Sequence, residues 1–282
     1  MISDYNTDNT IKKVIEFEWE MFIAVNEGGE RASCQEDQVT FEGMRAAQFN
    51  AWSLDAVSSY LNDLETAKRS NRNLVEEKYI HMSKTTEPRR YEALLQRVTL
   101  PSDEVTELAH EISDILLEQT CVLFEDYPYV SGQGRPLYSS LDYAGTSVET
   151  YQSSELLTYS ARTLTLLKEH ILNLISAGSS LAMMILENTV SFYGYNSLDS
   201  AEIATKEYAD RQSIEISYGC GCCCDDCGDD CSGLTCEADA ARTDGNKATR
   251  ADDDNCINRA YSDNCVVKAD VISGSDCRDC TA

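Results

Sequence analysis

The sequence predicts an all-α fold: a multi-helix globular body with one long Gly/Pro/Tyr loop, followed by a low-complexity cysteine-rich tail. Three observations lead there. Apolar residues recur at three- and four-residue spacing through about residues 1–210, cap-type residues stand at the breaks, and no segment alternates apolar and polar as a strand does. With 42% hydrophobic residues in 282, the chain can bury a real core.

Asn9 and Thr10 are candidate caps for a first helix with Ile11, Val14, Ile15, Met21, Phe22 and Val25 at helical spacing, stopped by Gly28-Gly29. A second helix is expected from about Gln35 to Asn50, and Ser53 caps a third carrying Leu54, Val57, Tyr60, Leu61 and Leu64. Leu74 to Thr85 reads as a fourth helix ended by Pro88, and Arg89 to Val98 as a short fifth. Ser102 caps a long sixth, where Asp103 and Glu104 complement the helix dipole. Residues 127–147, rich in glycine, proline and tyrosine, show no periodicity and read as a long loop of the functional or mobile kind. Helix resumes from about Val148 to Ala177 and from Ser180 to Tyr193, and Ser197 caps a last one reaching about Arg211.

Composition changes near Tyr218, which divides the chain into a helical domain, 1–211, and an acidic cysteine-rich tail, 212–282. Eleven of the thirteen cysteines lie in 220–282, and large apolar residues are scarce there. Such a segment cannot build an ordinary core; it is either disordered or held by metal or disulfides. The formal net charge of −26 repels nucleic-acid backbones and anionic lipid, so neither a nucleic acid nor a membrane is expected as a partner. The polar first ten residues lack a signal-peptide pattern, and no apolar stretch reaches membrane-spanning length, so a cytoplasmic location is expected.

Several spaced motifs carry a family resemblance. They are the run Trp19 to Gln35 (WEMFIAVNEGGERASCQ), Thr40-Phe41, the series Met44-Arg45, Gln48-Phe49 and Trp52, then GRPLYSS at 134–140, TSVETY at 146–151 and ENTVSFYGYNSL at 187–198. Over about residues 10–205 the chain resembles the bacterial domain-of-unknown-function family 4125. The resemblance implies a cytoplasmic bacterial protein and no particular activity, and the tail lies outside it. Glu30, standing between Gly29 and Arg31, departs from the family pattern.

Two arginine-bearing glycine loops are the candidate ligand sites. In the first, Gly28-Gly29 leaves one helix, Arg31 follows, and Ser33-Cys34-Gln35 opens the next. Free backbone N–H groups at a helix start, with a forked arginine, suit a phosphate or carboxylate, and the same field would activate Cys34 as a nucleophile. The plain alternative is a helix stop, a cap and a buried thiol. In the second, Gly132, Gly134 and Arg135 form GQGRP, which lacks the P-loop ending and the preceding strand. Arg45 and Gln48 share a helix face beside Phe41, Phe49 and Trp52 and suit either a buried hydrogen-bonded network or a ligand pocket. Glu107 and His110 make one E-x-x-H without the second copy a di-iron bundle needs.

The resulting expectation is a small anionic ligand held by Arg31, Arg45, Gln48 and Arg135, with Cys34 as the reactive thiol. A second reading places the activity in the tail. Cys224/Cys227 and Cys277/Cys280 are C-x-x-C pairs about fifty residues apart, and with no histidine there an all-thiolate site would favour zinc, copper(I) or an iron–sulfur cluster. An interaction scaffold is the third.

Overall fold

The computed structural model describes residues 2–25 and 32–219. Among them are eleven α-helices and no strand. They are α1 (Ile2–Ile23), α2 (Gln38–Phe49), α3 (Leu54–Arg69), α4 (Leu74–Thr86), α5 (Pro88–Leu94), α6 (Asp103–Asp126), α7 (Pro128–Ser131), α8 (Val148–Leu156), α9 (Ala161–Ser176), α10 (Leu181–Phe192) and α11 (Leu198–Gly219).

Side-chain caps set most of the breaks. Ser53, Ser102, Ser147, Ser160 and Ser180 each accept a backbone N–H from three residues on, satisfying a donor the helix cannot. Asp37 does the same for α2, which therefore starts later than expected, after a 3-10 turn at Ser33–Gln35. Asn73 has two duties. Its Oδ1 accepts from Glu76 N at 3.0 Å, capping α4, while its Nδ2 donates to the Met21 carbonyl of α1 at 2.8 Å. Asn73→Ala is expected to cost about 2 kcal/mol in urea unfolding, and Asn73→Ser, which keeps only the cap, about half of that.

Four expectations are corrected. α1 begins at Ile2, so Asn9 and Thr10 lie inside it and not at its start; its buried stripe of Ile11, Val14 and Ile15 packs on the core, and that packing outweighs local capping preference. The stretch 148–177 is two helices, not one. Asp63 of α3 accepts the Ser160 backbone N–H at 3.0 Å and the Thr163 hydroxyl at 2.6 Å, fixing a break that contains neither glycine nor proline. The last helix runs on to Gly219. The 127–147 segment is not structureless: it holds α7 and a 3-10 helix at Ser139–Ala144. Three carboxylates take up its backbone N–H groups. Glu202 accepts from Tyr129 and Val130 at 2.9 and 2.8 Å, Glu149 from Ser139 at 2.7 Å, and Asp142 from Ser147 at 2.8 Å.

α1 packs on α2, α3 and α4; α3 and α6 pack on α9; α8 packs on α4 and α6; α10 bridges α2 and α6. One large core runs through these helices, including Val14, Phe49, Tyr60, Leu64, Ile112, Leu164 and Ile171. A smaller one joins Val130, Val190, Leu198 and Ala201. α2 and α10 cross closely at Gly43, where a Cβ would lie 2.1 Å from the Phe192 ring, so any side chain there must displace that ring. No single helix among the described residues is long and apolar enough to cross a membrane; α9 and α10 reach that mark only as a pair bent by 91°.

Candidate functional site

Each of α1, α2, α3, α4 and α8 sends a polar side chain into the large core, and these meet in one cluster. Glu18 continues the Ile11–Val14–Ile15 stripe of α1, and Arg45 and Gln48 share a face of α2. The Arg45 guanidinium grips Glu18 with two bonds of 2.6 Å, from Nε to Oε2 and from Nη2 to Oε1. Nη2 also donates to Glu155 Oε1 at 3.0 Å, and Nη1 to Gln48 Oε1 at 2.8 Å and Glu155 Oε2 at 3.4 Å. Five contacts thus match the five N–H donors an arginine carries. The Phe49 ring lies 4.7 Å beneath the guanidinium carbon.

Tyr60 of α3 donates to Glu18 at 2.7 Å, and Tyr159 to Glu155 at 2.6 Å. Lys78 of α4 donates to Glu155 at 3.1 Å and to the Tyr151 hydroxyl at 2.8 Å. Burial pushes the Glu155 carboxyl up, but Arg45, Lys78 and the Tyr159 hydrogen bond outweigh it and hold it well below the usual carboxylate range. Burial works against the charge on Lys78, yet Tyr151 and Glu155 raise its pKa above the ordinary lysine value. Burial and the neighbouring glutamates push the Tyr60 and Tyr159 phenols up, so both stay protonated donors.

At the Lys78 end the cluster meets two half-buried residues, Tyr151 and Arg135. The Lys78 ammonium lies 4.2 Å from the Tyr151 ring centre and 5.5 Å from that of Tyr79. The Arg135 guanidinium is half-buried over the Tyr151 ring at 4.6 Å, and its Nη1 donates to the Thr146 carbonyl at 3.0 Å. Burial pushes the Tyr79 phenol up, against the opposing pull of the Lys78 ammonium. Cys34 is half-buried against the core.

Of the residues singled out in the sequence, Arg45 and Gln48 sit in the closed interior network, Arg135 lies over the Tyr151 ring at its edge, and Cys34 packs half-buried against the core. Arg31 lies outside the described residues, as do Cys224, Cys227, Cys277 and Cys280. Among the described residues no three or more His, Cys, Asp or Glu side chains are placed to hold a metal ion. Gln35 serves the backbone: its amide nitrogen donates to the Phe22 and Val25 carbonyls at 2.8 and 3.0 Å, and its oxygen accepts from Ala32 N at 3.2 Å. Glu18, Lys78, Tyr151 and Glu155 carry most of the network and were not picked out by motif, apart from Tyr151 within TSVETY. The available signal was a charged residue on an apolar stripe, at Glu18 and again at Lys78 between Leu74 and Met82.

Fold and site define an all-helical protein organised round a buried, charge-balanced ion network. The chain belongs to the family described as protein of unknown function (DUF4125), whose model matches residues 8–203. No curated protein and no solved structure matches it.

Proposed function

We propose that the helical body binds a small anionic ligand at Arg135, over the Tyr151 ring and beside Tyr79 and Cys34. The observation that carries this reading is the state of Arg135. In a chain of net charge −26 its half-buried guanidinium meets no carboxylate among the described residues, gives one N–H to Thr146 and has its remaining donors unspent. An arginine held flat on an aromatic ring loses little freedom when it takes an anion. Arg45 and Gln48 act one layer back. They fix Glu155, which fixes Lys78 against Tyr151, so the wall of the site is rigid before a ligand arrives.

Calorimetry of the full chain against acetate, citrate and inorganic phosphate tests this. At least one of them is expected to bind saturably, and Arg135→Gln to weaken it by about 10- to 100-fold, the usual effect of losing hydrogen bonds to a charged group. Binding that is indifferent to Arg135→Gln, or no binding by any of the three, sinks the reading.

A further inference from the structure

Resting on the anion site at Arg135, we propose that its ligand is an aryl or alkyl monocarboxylate, received by Arg135 together with the phenolic hydrogens of Tyr151 and Tyr79. The argument is an inventory of charge and of unspent donors. All five N–H groups of Arg45 are engaged by Glu18, Gln48 and Glu155, and the Lys78 ammonium by Glu155 and Tyr151. Two buried cations therefore face two buried carboxylates, and the interior network carries no net charge.

Three groups are left with donors to give. Arg135 supplies a positive charge that no carboxylate among the described residues compensates. Tyr151 receives the Lys78 ammonium on an oxygen lone pair, so its own hydrogen is directed elsewhere and meets no acceptor among the described residues. The Tyr79 hydroxyl makes no hydrogen bond with them, and its ring shares the Lys78 ammonium with that of Tyr151, at 5.5 and 4.2 Å. One positive charge and two phenolic hydrogens complement a singly charged group that accepts. A carboxylate has that charge and about four lone-pair sites, and the arginine fork matches its two oxygens.

A phosphate dianion or a polyphosphate brings two or more negative charges to one arginine, in a protein already at −26. The surroundings favour an apolar ligand body as well. Tyr79 stacks on Phe22 at 6.4 Å and Phe22 on Phe41 at 5.1 Å, so one donor-bearing ring is continuous with the aromatic core.

The test measures binding of benzoate, inorganic phosphate and pyrophosphate to the full chain, in the wild type and in Arg135→Gln, Tyr79→Phe and Tyr151→Phe variants. Tyr79→Phe is the cleanest variant, because it removes a hydroxyl with no partner in the described fold and keeps the ring. Expected are saturable benzoate binding, near-complete loss in Arg135→Gln, and a weakening of about tenfold in each Tyr→Phe variant with unchanged urea midpoint for Tyr79→Phe. If phosphate or pyrophosphate binds through Arg135 and benzoate does not, the anion site stands and the monocarboxylate assignment is overturned. Benzoate binding that needs Arg135 but is unmoved by both Tyr→Phe changes overturns the phenolic donors. If none of the three probes responds to Arg135→Gln, this inference and the anion site fall together.

Discussion

Arg45→Met is expected to lower the stability of the helical body by about 3–5 kcal/mol, seen as a large drop in the urea midpoint. The side chain is only 8% exposed, and Glu18 and Glu155, at 3% and 7%, face it from two other helices. Removing the guanidinium leaves two buried carboxylates with one ammonium between them, an uncompensated negative charge in the core. The cost comes from that orphaned charge more than from the lost attraction, so it can be relieved from the other side. Adding Glu18→Gln to Arg45→Met restores neutrality, with Lys78 still facing Glu155, and the double variant should recover a sizeable part of the loss. A single variant less than about 1 kcal/mol below the wild type would show that water reaches the cluster and screens it.

Acidification should weaken the fold well above the pH at which its carboxylates titrate. His81 of α4 is 5% exposed, and its Nε2 has no hydrogen-bond partner among the described residues. Burial, with a smaller push from Lys84, takes its pKa from 6.5 down to about 4. Between those two values the unfolded chain binds a proton that the folded chain refuses, so stability falls as pH falls. The contribution is complete above about pH 6.5, shrinks at roughly 1.4 kcal/mol per pH unit, and is lost by about pH 4, a total of about 3 kcal/mol. Glu155 acts in a separate, lower window: its folded value lies below the ordinary 4.5, so its contribution is present above that and disappears only in stronger acid. Melting temperatures of wild type and His81→Leu at pH 7, 6 and 5 separate the two. The wild type should lose stability across this range and the variant should be nearly flat; equal slopes would remove His81 from the explanation.

Local chemistry made most of the fold legible. Ser53 and Ser102 cap where a serine precedes an apolar-periodic run, and Val57, Tyr60, Leu61 and Leu64 form the stripe α3 turns inward, although Leu54, at the same spacing, stays exposed. Reading failed where a distant group decides a local boundary. The break before α9 depends on Asp63, about a hundred residues away, and the order of the 127–147 segment depends on Glu202. The site divides the same way. Arg45 and Gln48 were visible as neighbours on one helix face, whereas Glu155 joins them from more than a hundred residues on, and no spacing rule reaches that far.

The Gln35 amide ties the end of α1 to the approach to α2 with one neutral side chain. It donates to the Phe22 and Val25 carbonyls and accepts from Ala32 N, so the pairing of α1 with α2 is held in part by hydrogen bonds that carry no charge. Such a clasp is indifferent to salt, and it should persist at ionic strengths that screen exposed ion pairs such as Lys68–Glu20.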